Sequence, residues 1–386
     1  MIPYHNILTG KTMKNQKKLL FVLLGLLIAG LLSGCSTAAG TASSWPEAAV
    51  DGDTGLFAYG SHVFAIDVRN GSLKWTYPAE AETQIQYYAA PAFDESTVYA
   101  GSYANTLSAI NKSNGIEKWV FNGAGDRYIG SALTANGNVY APNSDKFLYA
   151  INQSGDLLWK FGTAGPNWTR PLTDGTNLYL ASMDHFVYAL KLEYSANELQ
   201  LDKTGGRTLV TEPLWKTDLG TAVVAEPVLS NGSIYVATID GHVYSLDAAT
   251  GKINWTFTNG DGYRAVWGDL VVTEDAIFFG DEKGDVYAVS PSTGDALWAA
   301  PYYAGSPVIA GGVLTEKGPM FVNDEGRVFI INADQNPQPV ATLTASIFST
   351  PLYADGRVIL APTTREKLFT AIDLNGNEVW SFIPSK

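Results

Sequence analysis

Few residues of this chain are equipped for covalent or metal chemistry. Four histidines and one cysteine occur among 386 residues. His5 lies near the N-terminus, and His62, His185 and His242 each sit at or beside a short turn between alternating apolar runs. Placement by turns, without ligand spacing, predicts solvated turn histidines and no metal centre. Asp67, Asp247 and Asp373 also precede turns, where an Asp side chain accepts hydrogen bonds from the following backbone N–H groups. No GxSxG, HExxH or phosphate-cradling glycine loop occurs. The candidate binding residues are instead aromatic and basic: Tyr88, Tyr128, Trp168, Arg170, Trp267 and Phe348. Aromatic rings beside arginine have the composition of a recognition surface for proteins, and such rings also stack on sugars.

The elements that must position these residues form a repeat. Its clearest copy is Ser233–Phe257, SIYVATIDGHVYSLDAATGKINWTF. Two turns, Asp240-Gly241 and Thr250-Gly251, separate alternating segments, which predicts short antiparallel strands ending at Trp255. The same tryptophan recurs at Trp75, Trp119, Trp159, Trp215, Trp298 and Trp380, in most copies with a glycine four residues before it. The spacing is close to 40 residues, except for 56 between Trp159 and Trp215 and 82, two periods, before Trp380. The copy without Trp contains Gly326–Asp334 followed by Val340–Leu343, with Asn336-Pro337-Gln338-Pro339 where the outer turn should be.

Eight copies of about 43 residues each fit one four-stranded propeller blade apiece. The expected fold is all-β: an eight-bladed β-propeller of four-stranded antiparallel blades over residues 46–386. Each copy opens on a strand that often begins with proline: Pro46, Pro91, Pro171, Pro227, Pro307 and Pro351, with Ala132 and Leu270 in the other two. Three residues earlier stand Ser43, Tyr88, Ile129, Trp168, Val224, Trp267, Ala304 and Phe348, so the even-numbered copies carry an aromatic. This position lies at one mouth of the central channel, with Arg170, Glu226 and Asp269 nearby. The copy that contains Trp215 holds a polar insertion, residues 193–212, expected to project from the outer hairpin as a surface loop.

Residues 1–34 read as a signal peptide. Lys11, Lys14, Lys17 and Lys18 precede an apolar run from Leu19 to Leu32, too short for a confident membrane span. The run ends in Leu32-Ser33-Gly34-Cys35, which resembles the bacterial lipobox. That resemblance implies lipidation of Cys35, anchoring to the cell membrane or outer membrane by acyl chains, and a flexible tether over 35–45. Met13 offers an alternative start. The formal charge of −13 argues against a nucleic-acid partner, and the leader removes four lysines but no acid, so the exported chain is more negative still.

Ala65-Ile66-Asp67 through Trp75, and Ser245-Leu246-Asp247 through Thr250-Gly251 and Trp255, resemble the A-x-D-x-x-T-G-x-x-x-W repeat of the pyrroloquinoline-quinone (PQQ)-like propellers. The resemblance covers essentially all of 46–382. It implies that each Trp docks between neighbouring blades and that the Gly takes a left-handed conformation. Two groups share this repeat: quinoprotein alcohol dehydrogenases, and non-enzymatic envelope lipoproteins similar to BamB of outer-membrane protein assembly. The first group holds PQQ against a vicinal-cysteine disulfide and a calcium ion. A chain with one cysteine cannot form that disulfide. The expected function is therefore a membrane-anchored, cofactor-free monomeric scaffold that binds envelope proteins. A PQQ- or small-molecule-binding enzyme or sensor and a surface polysaccharide binder are the alternatives.

Overall fold

The computed structural model describes residues 47–82, 84–260, 264–362 and 367–384. The leader, Cys35 and most of the tether lie outside the described residues. Eight sheets follow one another along the chain, each with a four-strand antiparallel meander in sequence order, and together they form an eight-bladed β-propeller. The described residues contain no helix. Blade 5 shows the pattern: Val228–Ser230, Ser233–Ala237, His242–Asp247 and Ile253–Thr258, innermost to outermost. Its two middle strands are buried, because period-2 side chains pack against a neighbouring blade on each face. The outermost strand alternates exposed and half-buried residues.

The glycine and the tryptophan of one copy do not serve each other. Each Trp reaches the outer turn of the next blade. The Nε1–H of Trp75 donates to Lys112 O at 2.8 Å, that of Trp119 to Gln153 O at 2.8 Å and that of Trp255 to Pro291 O at 3.0 Å. The ring then lies on that blade's turn glycine. A Cβ added to Gly115 would strike Trp75, one on Gly155 would strike Trp119, and one on Gly294 would strike Trp255. These glycines also hold φ between +74° and +89°. Two independent constraints, a left-handed backbone and a ring pressed on Cα, select the same residue. The turn aspartates behave as expected: Asp247 accepts from Thr250 N at 2.8 Å, and Asp373 from Asn375 N and Asn377 N at 2.9 and 2.8 Å.

The same device closes the ring. Trp380 of blade 8 donates to Val68 O of blade 1 at 2.7 Å and covers Gly71. Phe57 and Phe369 meet across this seam, ring centroids 4.0 Å apart. Blades 1 and 8 are each built from a continuous stretch of chain, so no strand is exchanged between the ends. Blade 7 departs from the pattern. Gln338 takes the Trp place opposite Ile330, and the backbone of Val340 lies over Gly376 instead of an indole.

The insertion corrects an expectation. Residues 193–212 do not project as a loop. Arg207–Val210 pairs parallel with the outermost strand of blade 3, Leu157–Gly162, and Gln200–Leu201 adds a further strand, making a six-stranded sheet. Leu199 and Val210 are buried, and the Tyr194 ring meets Trp159 edge-on at 5.3 Å. Trp159, whose next turn lacks the glycine, donates to Leu192 O at 3.3 Å and is the most buried of the docking tryptophans. Polar composition concealed two core residues spaced within a segment that needs another blade's edge to pair with.

These contacts rank substitutions. Trp380→Ala should cost about 3–5 kcal/mol, the range for a buried aromatic. Leu199→Ala in the insertion should cost about 2–5 kcal/mol, whereas a free surface loop would lose almost nothing. Urea unfolding of both variants checks this.

Candidate functional site

The loop entering each innermost strand is sewn between second-hairpin turns. Tyr87 N donates to Gly60 O at 2.7 Å, Tyr128 N to Ser102 O at 3.0 Å, and Ser144 N accepts its place by donating to Arg127 O at 3.1 Å. Further round, Ile239 N donates to Ala222 O at 3.2 Å and Glu282 N to Ala265 O at 3.0 Å. Held this way, the loop is extended and its side chains alternate. Tyr87, Tyr128, Asn167, Val223, Val266, Val308 and Ile347 are buried. Two residues later only small side chains follow: Ala89, Gly130, Thr169, Ala225, Gly268, Ala310 and Ser349. Gly268 is pressed on the backbone of Ala310 and Gly311, which leaves no room for a Cβ.

Strand register corrects two blades. Ala49 pairs with Leu56, and Val313 pairs with Met320, in the places where Ala92 pairs with Tyr99 and Leu352 with Ile359. Ala48 and Gly312, not Pro46 and Pro307, therefore hold the leading-proline position. The aromatic position becomes Ile309 in blade 7, replacing Ala304. In blade 1 it becomes residue 45, which lies outside the described residues, as does Ser43. Proline is common just before strands for its own reasons, so it marked the neighbourhood but not the register.

The sequence candidates separate by depth. Trp267 is 45% exposed, Arg170 is exposed, and Trp168 and Phe348 are half-buried. Trp168 is held by an Nε1–H bond to Ser144 Oγ at 3.1 Å. Tyr88 is buried between the rings of Tyr59 and Tyr103, at 6.3 and 5.0 Å, and Arg127 lies over Tyr103. Tyr128 faces the blade interface and is buried, so its ring is core and not mouth surface. Tyr303, outside the candidate set, is 60% exposed.

The corrected register exposes a ring that sequence reading saw only in part. The residues just before the leading position are Glu47, Ala90, Ser131, Arg170, Glu226, Asp269, Gly311 and Thr350, one per blade around the channel axis. Glu47 Oε2 accepts from Ala90 N at 3.1 Å. Asp269 accepts from Glu226 N at 2.9 Å and from the Thr350 hydroxyl at 2.8 Å, reaching from blade 6 to both blade 5 and blade 8. Gly311 stands where a Cβ would strike Thr350 Oγ1 and Asp269, so glycine is required for that reach. Glu47 keeps an exposed face on the channel but is ringed by protein. Lost hydration pushes its carboxyl up to about 7, against the Ala90 hydrogen bond and with help from the Asp269 charge. Glu226 is raised by burial first and by Asp269 next, while Arg170 opposes. Asp269 is raised by burial, opposed by its two hydrogen bonds. Glu47 was missed because its blade was read two residues out of register.

Among the described residues, no group of three His, Cys, Asp or Glu is arranged to hold a metal ion. The histidines sit at turns: His62 Nδ1 is 3.0 Å from Pro78 O, and His185 Nδ1 is 2.6 Å from Asp218. What the ring offers is three raised carboxyls, Glu47 up to about 7, Glu226 up to about 8 and Asp269 upward, with one guanidinium opposing.

The comparisons with known proteins bear on most of the propeller. A family model described as outer membrane protein assembly factor BamB matches residues 33–194 and again 148–338. The chain belongs to the BamB family of PQQ-like propellers. BamB of Shewanella oneidensis is 23% identical over 57% of this chain and 63% of its own length. BamB of Moranella endobia is 23% identical over 50% and 48%. Tetrathionate hydrolase of Acidithiobacillus ferrooxidans is 26% identical over 49% of this chain and 36% of its own. The chain thus spans between about a third and two-thirds of the length of these relatives. The crystal structure of BamB from Moraxella catarrhalis superposes with a TM-score of 0.64, covering 82% of this chain and 90% of that one at 18% identity, a likeness of fold.

The carboxyl ring gives this BamB-family propeller a pH-dependent stability. A carboxyl raised in the folded state binds its proton more tightly there than when unfolded. The stability it contributes is complete below about pH 4.5 and is lost as pH rises through the folded value. The melting temperature should fall as pH rises from about 4.5 to about 8, the window set by Glu47 and Glu226. Glu226→Gln should raise it at the alkaline end and flatten the profile. Thermal melts across this range measure both.

Proposed function

We propose that this chain is a lipid-anchored, non-enzymatic scaffold that binds envelope proteins through its channel mouth, within outer-membrane protein assembly. The observation that carries this reading is the BamB-family match over residues 33–338. The mouth supplies suitable chemistry. Trp267 is exposed, Trp168 is pinned to Ser144, and the Arg170 guanidinium has no hydrogen bond or ion pair among the described residues. Aromatic and arginine side chains dominate the binding energy of protein interfaces. Lipidation of Cys35 would place the propeller at a membrane surface, and the exported chain's negative charge suits a partner with basic patches. In the doubly substituted Trp168→Ala, Trp267→Ala protein, recovery of co-purified envelope proteins should fall at least about tenfold with the melting temperature kept, and Cys35→Ser should release the protein from the membrane fraction. Undiminished recovery from a folded double variant rules out the mouth.

A hydrolytic reading is favoured by a different observation, the raised Glu226 carboxyl inside the channel together with the likeness to a tetrathionate hydrolase. A carboxyl protonated near neutrality can act as a general acid. Tetrathionate consumption that Glu226→Gln abolishes would replace the scaffold reading with this one.

A further inference from the structure

The outer edge of a blade presents unpaired backbone groups, and each blade of this molecule blunts that edge except one. Lysines stand in the outermost strands of blades 1, 2 and 4, at Lys74, Lys118 and Lys216, and Glu378 stands in that of blade 8. Blade 7 has Pro337 and Pro339. Blade 6 pairs only Tyr302–Tyr303 there, just after Pro301. Blade 3 is covered by the inserted strand Arg207–Val210. Charge, proline and cover are the usual protections against strand addition. The outermost strand of blade 5, Ile253–Thr258, has none of them among the described residues: six residues, INWTFT, with no charge, no proline and no cover.

Beside this edge the wall is open. Between the Leu297 N–H bond to Ala288 O and the pairing of Val286 with Tyr302, the outer segment of blade 6 leaves the ladder over 298–301. A cavity of about 280 Å³ results, lined by Phe257, Thr258, Tyr287, Trp298 and Ala299 among others. The equivalent place between blades 3 and 4 is filled. There Phe161 and Tyr188 meet edge-on at 5.2 Å, as Phe257 and Tyr287 do at 5.8 Å. Val210 of the inserted strand pairs with Phe161 and is buried in the same apolar cluster as Tyr188. The molecule therefore shows, at one edge, the occupant that the other edge lacks.

We propose that the edge of Ile253–Thr258 docks an extended segment of another protein, added as a fifth strand parallel to it. The segment places a β-branched aliphatic residue over Phe257, as Val210 lies over Phe161, and carries basic charge. The charge follows from complementarity to the chain as a whole, which carries −13. Backbone pairing gives such a contact its affinity and the alternate side-chain pocket its selectivity. The edge lies on the outer wall, away from the channel mouth, so a negative result here leaves the mouth reading standing.

The test uses the full chain and a fluorescein-labelled peptide of its own residues 205–211, GGRTLVT, as the probe. Thr256→Pro removes one edge N–H at the place where blade 7 already holds Pro339, and Asn254→Lys adds the charge that blades 1 and 2 carry as Lys74 and Lys118. Both variants should keep the wild-type melting temperature. Saturable binding to the wild type, weakened about tenfold or more in both variants, supports the proposal. No saturation by about 1 mM peptide, or equal binding by wild type and variants, overturns it. A wild-type dimer that Thr256→Pro makes monomeric also overturns it, because a second copy then fills the edge.

Discussion

One interaction recurs at seven of the eight blade seams: a tryptophan indole donates to a carbonyl in the next blade's outer turn and lies on that turn. A single blade cannot bury both faces of its sheet, so stability rests on neighbour contacts. The indole bond fixes how each neighbour sits. It is directional, it is partly shielded from water, and it needs a glycine beneath it where the ring presses on Cα. Trp380 on Gly71 brings the last blade onto the first and makes the array a closed ring. Where the device is altered, compensation is visible. Trp159 loses its glycine partner and gains the inserted strands, and blade 7 substitutes the backbone of Val340 for an indole.

The ring of blades creates its channel as a consequence. The tight loop sewn between hairpin turns forces alternation, with large apolar side chains inward, small ones between blades, and one residue per blade toward the axis. Three of those eight axial residues are carboxyls and one is an arginine. Confinement by the surrounding blades, more than any single neighbour, raises the carboxyls, since burial is the leading cause for each of them. Glu226 and Asp269 cannot easily ionise together, and Arg170 offsets only part of the cost. The exposed Trp267 thus lies two residues before Asp269, whose pKa burial raises, and the half-buried Trp168 two residues before Arg170.

The outer wall follows a separate logic. A propeller leaves eight short edges, and each is an invitation to another strand. A charged side chain, proline, a broken ladder and a folded-back insertion are four different answers within one chain. Their use in seven blades gives the plain strand in blade 5 its meaning. The insertion shows that these edges accept a parallel strand when the rings beneath can pack against an aliphatic side chain.

The sequence by itself determined the blade count, the strand order and the docking tryptophans. Each depends on local signals repeated at a fixed period: turn pairs, alternation, and a Trp four residues after a glycine. It also placed Trp168, Arg170 and Trp267 at repeated positions of the copies. Tertiary structure decided the rest. The partner of Gly115, Gly155, Gly251 and Gly294 is the preceding blade's tryptophan, a contact about one period away along the chain that within-copy spacing disguises. Register in blades 1 and 7 came from backbone pairing, since neither Pro46 nor Pro307 marks the true strand start. Tyr128 turned inward because alternation is set by the loop's hydrogen bonds, not by residue type. The carboxyl ring emerged only when residues about a blade apart, and Glu47 and Asp269 much further, were brought to one axis. Long-range pairing of this kind leaves no short-range trace, and for the same reason the strand Arg207–Val210 read as a loop until the edge it completes was in view.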